Sequence, residues 1–116
     1  MNLIEASSPD ELDRLTAADA TDDLIIIDFY GPSCPNCEVF AADAPSLLLA
    51  LEGLPIRVLK VDAYRHTALA RRFALFGVPT FVLMRRGKVL GKMSQYRGRD
   101  FWLAVVTEQL AASAAP

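Results

Sequence analysis

The chemistry available to this chain starts from its two cysteines, which stand at C-x-x-C spacing in Ser33-Cys34-Pro35-Asn36-Cys37. Thiols so spaced can trade electrons as dithiol and disulfide, or supply half of a four-ligand zinc site. The zinc reading lacks ligands, because His66 is the only histidine and no further cysteine exists. The pair follows the apolar run Leu24-Ile25-Ile26-Ile27-Asp28-Phe29-Tyr30 and precedes a helix-compatible stretch. A cysteine that caps a helix has its sulfur beside unpaired N–H groups, at the positive end of the macrodipole, so its pKa is expected to be depressed. Cys34 is on that ground the expected nucleophile. Pro35 suits the first helical position, which has no N–H obligation. Cys37, one turn deeper, is expected to be shielded and to attack a mixed disulfide from inside. Asp28 is the third candidate, since a carboxylate within that apolar run should be desolvated and its pKa raised. Asn36 adds a side-chain amide that could donate to the Cys34 thiolate and so make the couple more oxidising.

The elements that must position these groups alternate between strand and helix, without internal repeats. A short strand near Leu3-Ile4 leads to Ser8-Pro9-Asp10-Glu11, which has the form of an N-cap, a proline at the first helical position and a capping-box glutamate. This predicts a helix to about Ala18. Leu24 to Tyr30 has the length and β-branched content of a strand covered on both faces. Beyond Cys37, Phe40, Ala44, Leu47, Leu48 and Leu51 share one helical face, and that helix should stop near Gly53-Leu54-Pro55. Ile56 to Asp62 reads as a second core strand, parallel to the first because a helix crosses between them. A short helix over Thr67 to Phe73, a hairpin from Thr80 turning at Gly87, and a closing helix over Asp100 to Leu110 complete the pattern. Phe101 and Trp102 are both expected in the core, and residues 111–116 are expected to fray.

Composition sets the remaining bounds. A chain of 116 residues, 53% hydrophobic and 22% charged, is read as one domain, 1–116, with one core. A net charge of −2 with interspersed signs offers no basic face for nucleic acid. No apolar run approaches a membrane span, and the N-terminus lacks a basic flank, so the expected location is the cytoplasm. There, reduced conditions favour a catalytic or metal-binding over a structural C-x-x-C. His66 reads as a solvated turn residue, and Tyr30, Pro32 and Ser33 as flanks of Cys34.

The order βαβ, helix, hairpin, helix resembles the thioredoxin family when it is combined with Asp28-Phe29-Tyr30, Cys34-x-x-Cys37, Leu69-Ala70-Arg71-Arg72-Phe73 and Gly77-Val78-Pro79-Thr80-Phe81. The resemblance runs from about Leu3 to Leu110. It implies an α/β fold, a central mixed sheet flanked by helices, in a monomeric thiol-disulfide oxidoreductase that reduces protein disulfides. It places Asp28 beneath Cys37 as proton acceptor and makes Val78-Pro79 a cis bond facing the thiols. Ser33, Pro35, Asn36, Val78 and Pro79 then form the substrate-docking surface. It implies no bound cofactor or metal, and a thioredoxin-reductase-type donor to restore the dithiol. The alternative is a chaperone or assembly module of the same fold without redox turnover. The chain departs from the family in four places: Ser33 replaces tryptophan, Pro35-Asn36 replaces Gly-Pro, the helix proline is displaced to Pro45, and the glycine after the hairpin is replaced near Gln95.

Overall fold

The fold is taken from a computed structural model in which residues 3–5 and 8–114 are described. The elements are β1 (Leu3–Glu5), α1 (Pro9–Thr16), β2 (Leu24–Tyr30), α2 (Pro35–Ala50), β3 (Ile56–Asp62), α3 (Thr67–Arg72), β4 (Thr80–Arg85), β5 (Lys88–Met93) and α4 (Arg99–Ala112). Their five strands form one sheet in the order β1-β3-β2-β4-β5. β3 runs parallel to both β1 and β2, whereas β4 pairs antiparallel with β2 and β5. β2 is therefore the central strand.

Residue parity along β2 assigns its side chains to two faces. Leu24 and Ile26 join Phe40, Ala44 and Leu47 of α2 and Trp102 and Val106 of α4 in one buried cluster. Ile25, Ile27 and Phe29 join Leu12 of α1 and Leu69 of α3 in the other. Helices on both faces explain why β2 is apolar at nearly every position instead of alternating. The same parity places Asp28 on the face that α2 covers, with Ile56, Val58 and Lys60 of β3. A carboxylate is thereby committed to the interior by strand period alone, and Asp28 is 4% exposed.

Local signals set the element ends. The Ser8 side chain accepts from the Glu11 N–H at 3.1 Å, with Pro9 opening α1. That helix stops at Thr16, short of Ala18, because Ala17 already has an extended ψ of 147°. The hairpin between β4 and β5 turns through Arg86 and Gly87 at φ values of 51° and 80°, the paired left-handed conformations that match the twist of the strands. α4 continues to Ala112, past the expected Leu110, and residues 115–116 of the tail lie outside the described residues. Trp102 is buried, but its neighbour Phe101 is 44% exposed beneath the Arg97 guanidinium. Successive helical residues diverge by about 100°, so only one of the two can face the core.

α3 ends in a Schellman motif: the Leu75 N–H donates to the Ala70 carbonyl at 3.0 Å and the Ala74 N–H to the Arg71 carbonyl at 3.0 Å. The motif puts Ala74 at φ 54°, where a Cβ is strained and glycine is not. Ala74→Gly is expected to raise stability by up to about 1 kcal/mol, with the larger unfolded-state entropy of glycine offsetting part of the relief. Urea denaturation of the two proteins side by side checks this.

Candidate functional site

The chain leaves β2 at Tyr30, crosses Gly31-Pro32, and turns at Ser33, whose φ of 53° redirects it into α2. Gly31 sits where an added Cβ would come within 2.8 Å of the Tyr64 ring and 3.3 Å of Val78, so the absence of a side chain lets the two loops close on each other. Cys34 is the N-cap of α2, with Pro35 opening the helix. The Cys37 N–H donates to the Cys34 sulfur at 3.1 Å, so one unpaired donor of the helix end is spent on that atom. The two cysteines are joined as a disulfide, their Cα atoms 5.2 Å apart. Exposure does not separate their roles as expected. Each residue is 9% accessible, because in the bonded pair each sulfur covers the other. Their neighbours do separate them.

Cys37 opens onto a cleft of about 180 Å³ that it shares with Asp28, Tyr30, Gly31, Glu38, Ala41 and Lys60. The space is large enough to admit water beside both the Asp28 carboxyl and Cys37. Lys60 was not singled out from sequence. It lies opposite Asp28 in the β2–β3 register, and its ammonium sits 4.4 Å from the centre of the Tyr30 ring. A lone lysine among the apolar residues of β3 was visible, but its partner depends on strand register.

Cys34 faces the other way. Its sulfur is 3.7 Å from the Val78 carbonyl oxygen, and the Val78–Pro79 peptide bond is cis. Beyond it lies a groove of about 580 Å³. It is lined by two segments remote in sequence, here called its walls, Ala74 to Thr80 and Ser94 to Tyr96, together with Lys92 and Asn36. Phe76 projects fully into solvent at the rim. The Lys92 ammonium donates to the Phe73 carbonyl and ties the first wall to β5. Of the residues expected to dock substrate, Asn36, Val78 and Pro79 line this groove, while Ser33 and Pro35 are exposed beside Cys34 outside its lining. Pro32 is likewise exposed outside it, and Tyr30 belongs to the Asp28 cleft.

The Asn36 amide does not serve Cys34. Its Nδ2 donates to the Tyr96 carbonyl at 3.0 Å and its Oδ1 accepts the Tyr96 N–H at 2.9 Å. The expectation of a side-chain donor to the thiolate is corrected accordingly: both ends of the amide are committed to a backbone segment that sequence spacing does not place nearby. Tyr96 itself is buried against Phe40, ring centres 5.1 Å apart, and its hydroxyl donates to the Asp43 carboxylate. Burial first, then that hydrogen bond and the Asp43 charge, push the phenol's pKa well above its ordinary value of 10.0, against a smaller opposing effect of Arg99. His66 is half-buried at the start of α3 and makes no side-chain capping bond. Among the described residues no cluster of three or more histidine, cysteine, aspartate or glutamate side chains could hold a metal ion. No helix of the described residues is long and apolar enough to cross a membrane.

A helix-capping cysteine in a C-x-x-C pair, a cis proline opposite it and a buried aspartate on the central strand meet at one end of the mixed sheet. The thioredoxin family model matches residues 7–108, and the chain belongs to that family. It is 38% identical over 90 residues to a thioredoxin domain-containing protein of Theileria parva, an alignment spanning 76% of this chain and 39% of that protein. It is 35% identical over 71 residues to protein disulfide-isomerase A4 of Bos taurus, spanning 60% of this chain and 11% of the isomerase. The chain thus spans about a tenth of the disulfide-isomerase it matches. The solved thioredoxin of Malassezia sympodialis superposes with a TM-score of 0.77 at 20% identity, covering 94% of this chain and 91% of that one, which shows the fold.

Tyr96→Phe keeps the ring and removes the bond to Asp43, which should cost about 1 kcal/mol at neutral pH. The raised phenol pKa fixes how that cost varies. Below the ordinary value of 10.0 both folded and unfolded chains keep the phenol protonated, and the contribution is whole. Above it the unfolded chain ionises first, so wild type loses its advantage as pH rises towards the folded value. Denaturant titrations of both proteins at pH 7, 9 and 11 should show the gap constant between the first two and narrowed at the third.

Proposed function

We propose that this domain exchanges dithiol for disulfide with protein substrates and works as a protein-disulfide reductase. The observation that carries the reading is the placement of the Cys34 sulfur. It accepts the Cys37 N–H at the start of α2 and lies 3.7 Å from the Val78 carbonyl, at the edge of the groove. In the reduced protein the helix end favours negative charge on that sulfur. The Cys34 thiolate attacks one sulfur of a substrate disulfide; that S–S bond breaks, the first substrate thiolate leaves, and a mixed disulfide remains. The Cys37 thiol gives its proton to Asp28, directly or through water in the shared cleft. Its thiolate then attacks the Cys34 sulfur. The mixed disulfide breaks, the second substrate thiolate leaves, and the Cys34–Cys37 disulfide forms. Two electrons have passed to the substrate, whose thiolates take up two protons, so the exchange itself needs no bound cofactor.

The segment flanking the substrate disulfide lies in the groove against Val78-Pro79, as an added strand pairs with an exposed edge. A thioredoxin-reductase-type enzyme supplies the electrons that reopen Cys34–Cys37, and the working compartment is the cytoplasm, with the domain acting as a monomer.

Reduction of insulin by substoichiometric protein, with dithiothreitol as the bulk reductant, tests the reading. Wild type should accelerate the reaction catalytically and Cys34→Ser should abolish the acceleration. Cys37→Ser should accumulate a mixed disulfide, and brief alkylation of the reduced protein should label Cys34 before Cys37. Asp28→Asn should leave the first attack unchanged and slow resolution at least tenfold, less than the ~10²–10⁴ of a sole general base because cleft water can substitute. Turnover that survives Cys34→Ser, or a wild type that suppresses insulin aggregation without reducing it, would establish the non-redox binding module instead.

A further inference from the structure

The side chain between the two cysteines is attached to the Ser94–Tyr96 wall of the groove. Asn36 meets both backbone groups of Tyr96, N–H and C=O, at 2.9 and 3.0 Å across a separation of 60 residues. That is the pattern by which one strand residue engages its neighbour, here supplied by a primary amide. Tyr96 is held a second time by α2, through its hydroxyl on Asp43. Its ring is also wedged against Phe40 and, at 6.4 Å between centres, Phe81. These contacts, at the first turn of α2 and farther along it, fasten Tyr96 to the helix that carries both cysteines. The preceding residues Ser94 and Gln95 are exposed and belong to the same groove wall.

We propose that Asn36 is a positioning residue for macromolecular substrates. By clamping the Tyr96 backbone to the active-site turn it sets the width of the groove. By occupying both of that residue's main-chain groups it withdraws Tyr96 from pairing with the incoming polypeptide, which pairs with the Val78 edge. This deepens the reductase reading and rests on it. A disulfide flanked by extended polypeptide needs the preset wall; a small disulfide that reaches the Cys34 sulfur without filling the groove does not. The amide is engaged away from sulfur, so it leaves the thiol chemistry itself alone.

The test compares wild type, Asn36→Ala and the isosteric Asn36→Asp, which keeps an acceptor for the Tyr96 N–H but sets an oxygen against the Tyr96 carbonyl. Three measurements are needed. They are hydrogen exchange at the Tyr96 amide, steady-state reduction of insulin against the second-order rate with 5,5′-dithiobis(2-nitrobenzoate), and the reduction potential against a glutathione buffer. In Asn36→Ala the Tyr96 amide should exchange faster, and KM for insulin should rise by about three- to tenfold, the worth of one to two ordinary hydrogen bonds. The maximal rate, the small-disulfide rate and the potential should stay within about twofold or its equivalent of wild type. Asn36→Asp should share the direction of the KM change, and it carries the test if the alanine variant does not fold. An insulin KM unchanged while the Tyr96 amide deprotects overturns the proposal, as does an equal loss with insulin and the small disulfide. A potential that falls in Asn36→Ala also overturns it, returning the amide to the sulfur. A wild type inactive on both disulfides removes the reductase reading before Asn36 is reached.

Discussion

Covering β2 on both faces is the constraint from which the rest of the site follows. A central strand with helices above and below must be apolar at both parities, and every polar exception is then held in the interior. Asp28 is the exception. Its parity with Leu24 and Ile26 sends it toward α2, and the β2–β3 register sets Lys60 across from it. The strand's exit sets the remaining coordinate: after Tyr30 the chain has four residues in which to reverse into α2, so the helix must begin over the end of the strand that carries the carboxylate. Cys34 becomes the cap and Cys37 the first inward-facing residue of the helix. The carboxylate and the two sulfurs are therefore arranged by one strand and one turn.

The two sulfurs are differentiated by direction rather than by depth. At equal accessibility, the Cys34 sulfur takes the Cys37 N–H and looks toward Val78, whereas Cys37 borders the water-accessible cleft with Asp28. Those surroundings suit opposite tasks. In the proposed exchange, a fixed N–H and a helix end stabilise the charge that must be present before substrate arrives, while an adjacent carboxyl reached through water takes the proton that must leave only after the mixed disulfide has formed. The left-handed Ser33 contributes by aiming the cap; its φ of 53° is a conformation that a side-chain-bearing residue adopts at a cost of about 1 kcal/mol or more.

What could be read from sequence was whatever depends on period and local capping. β2 and β3 begin and end where their apolar runs do, because a strand covered on both faces has no competing pattern. Ser8, Pro35 and Gly87 each state their role in one residue type. Contacts that depend on register or on loop closure were not legible. Lys60 beside Asp28 needs the β2–β3 pairing; Tyr64 over Gly31 and the Asn36–Tyr96 pair need the packing of segments remote in sequence. Asn36 was singled out for the right property, a side-chain amide near the thiols, and assigned the wrong acceptor, since the Tyr96 backbone that takes both ends of the amide is 60 residues away in sequence. Phe101 and Trp102 show the same limit on a smaller scale, because the composition of a helix does not say which of two adjacent aromatics faces the sheet.

The two walls of the groove are held by different physics, and this bears on how such a site can change its substrates. The Ala74–Gly77 wall hangs from a Schellman motif with Ala74 in the left-handed region and from the Lys92 contact to Phe73, and it ends in a fully exposed phenyl ring. Little packing constrains the identity of residue 76, so substitutions there can alter which side chains are welcomed without disturbing the thiols. The Ser94–Tyr96 wall is different. It is fastened through Asn36 and Asp43 to the helix that carries both cysteines, and through the Tyr96 ring to the core cluster of Phe40 and Phe81. Under the positioning role proposed for Asn36, a change on that side reaches the C-x-x-C turn, and a change between the cysteines reaches the wall. Residue 36 and the loop after β5 are joined by two hydrogen bonds. The residue between the cysteines and the segment after the hairpin thus meet in one contact: an amide whose two ends bind the two backbone groups of Tyr96.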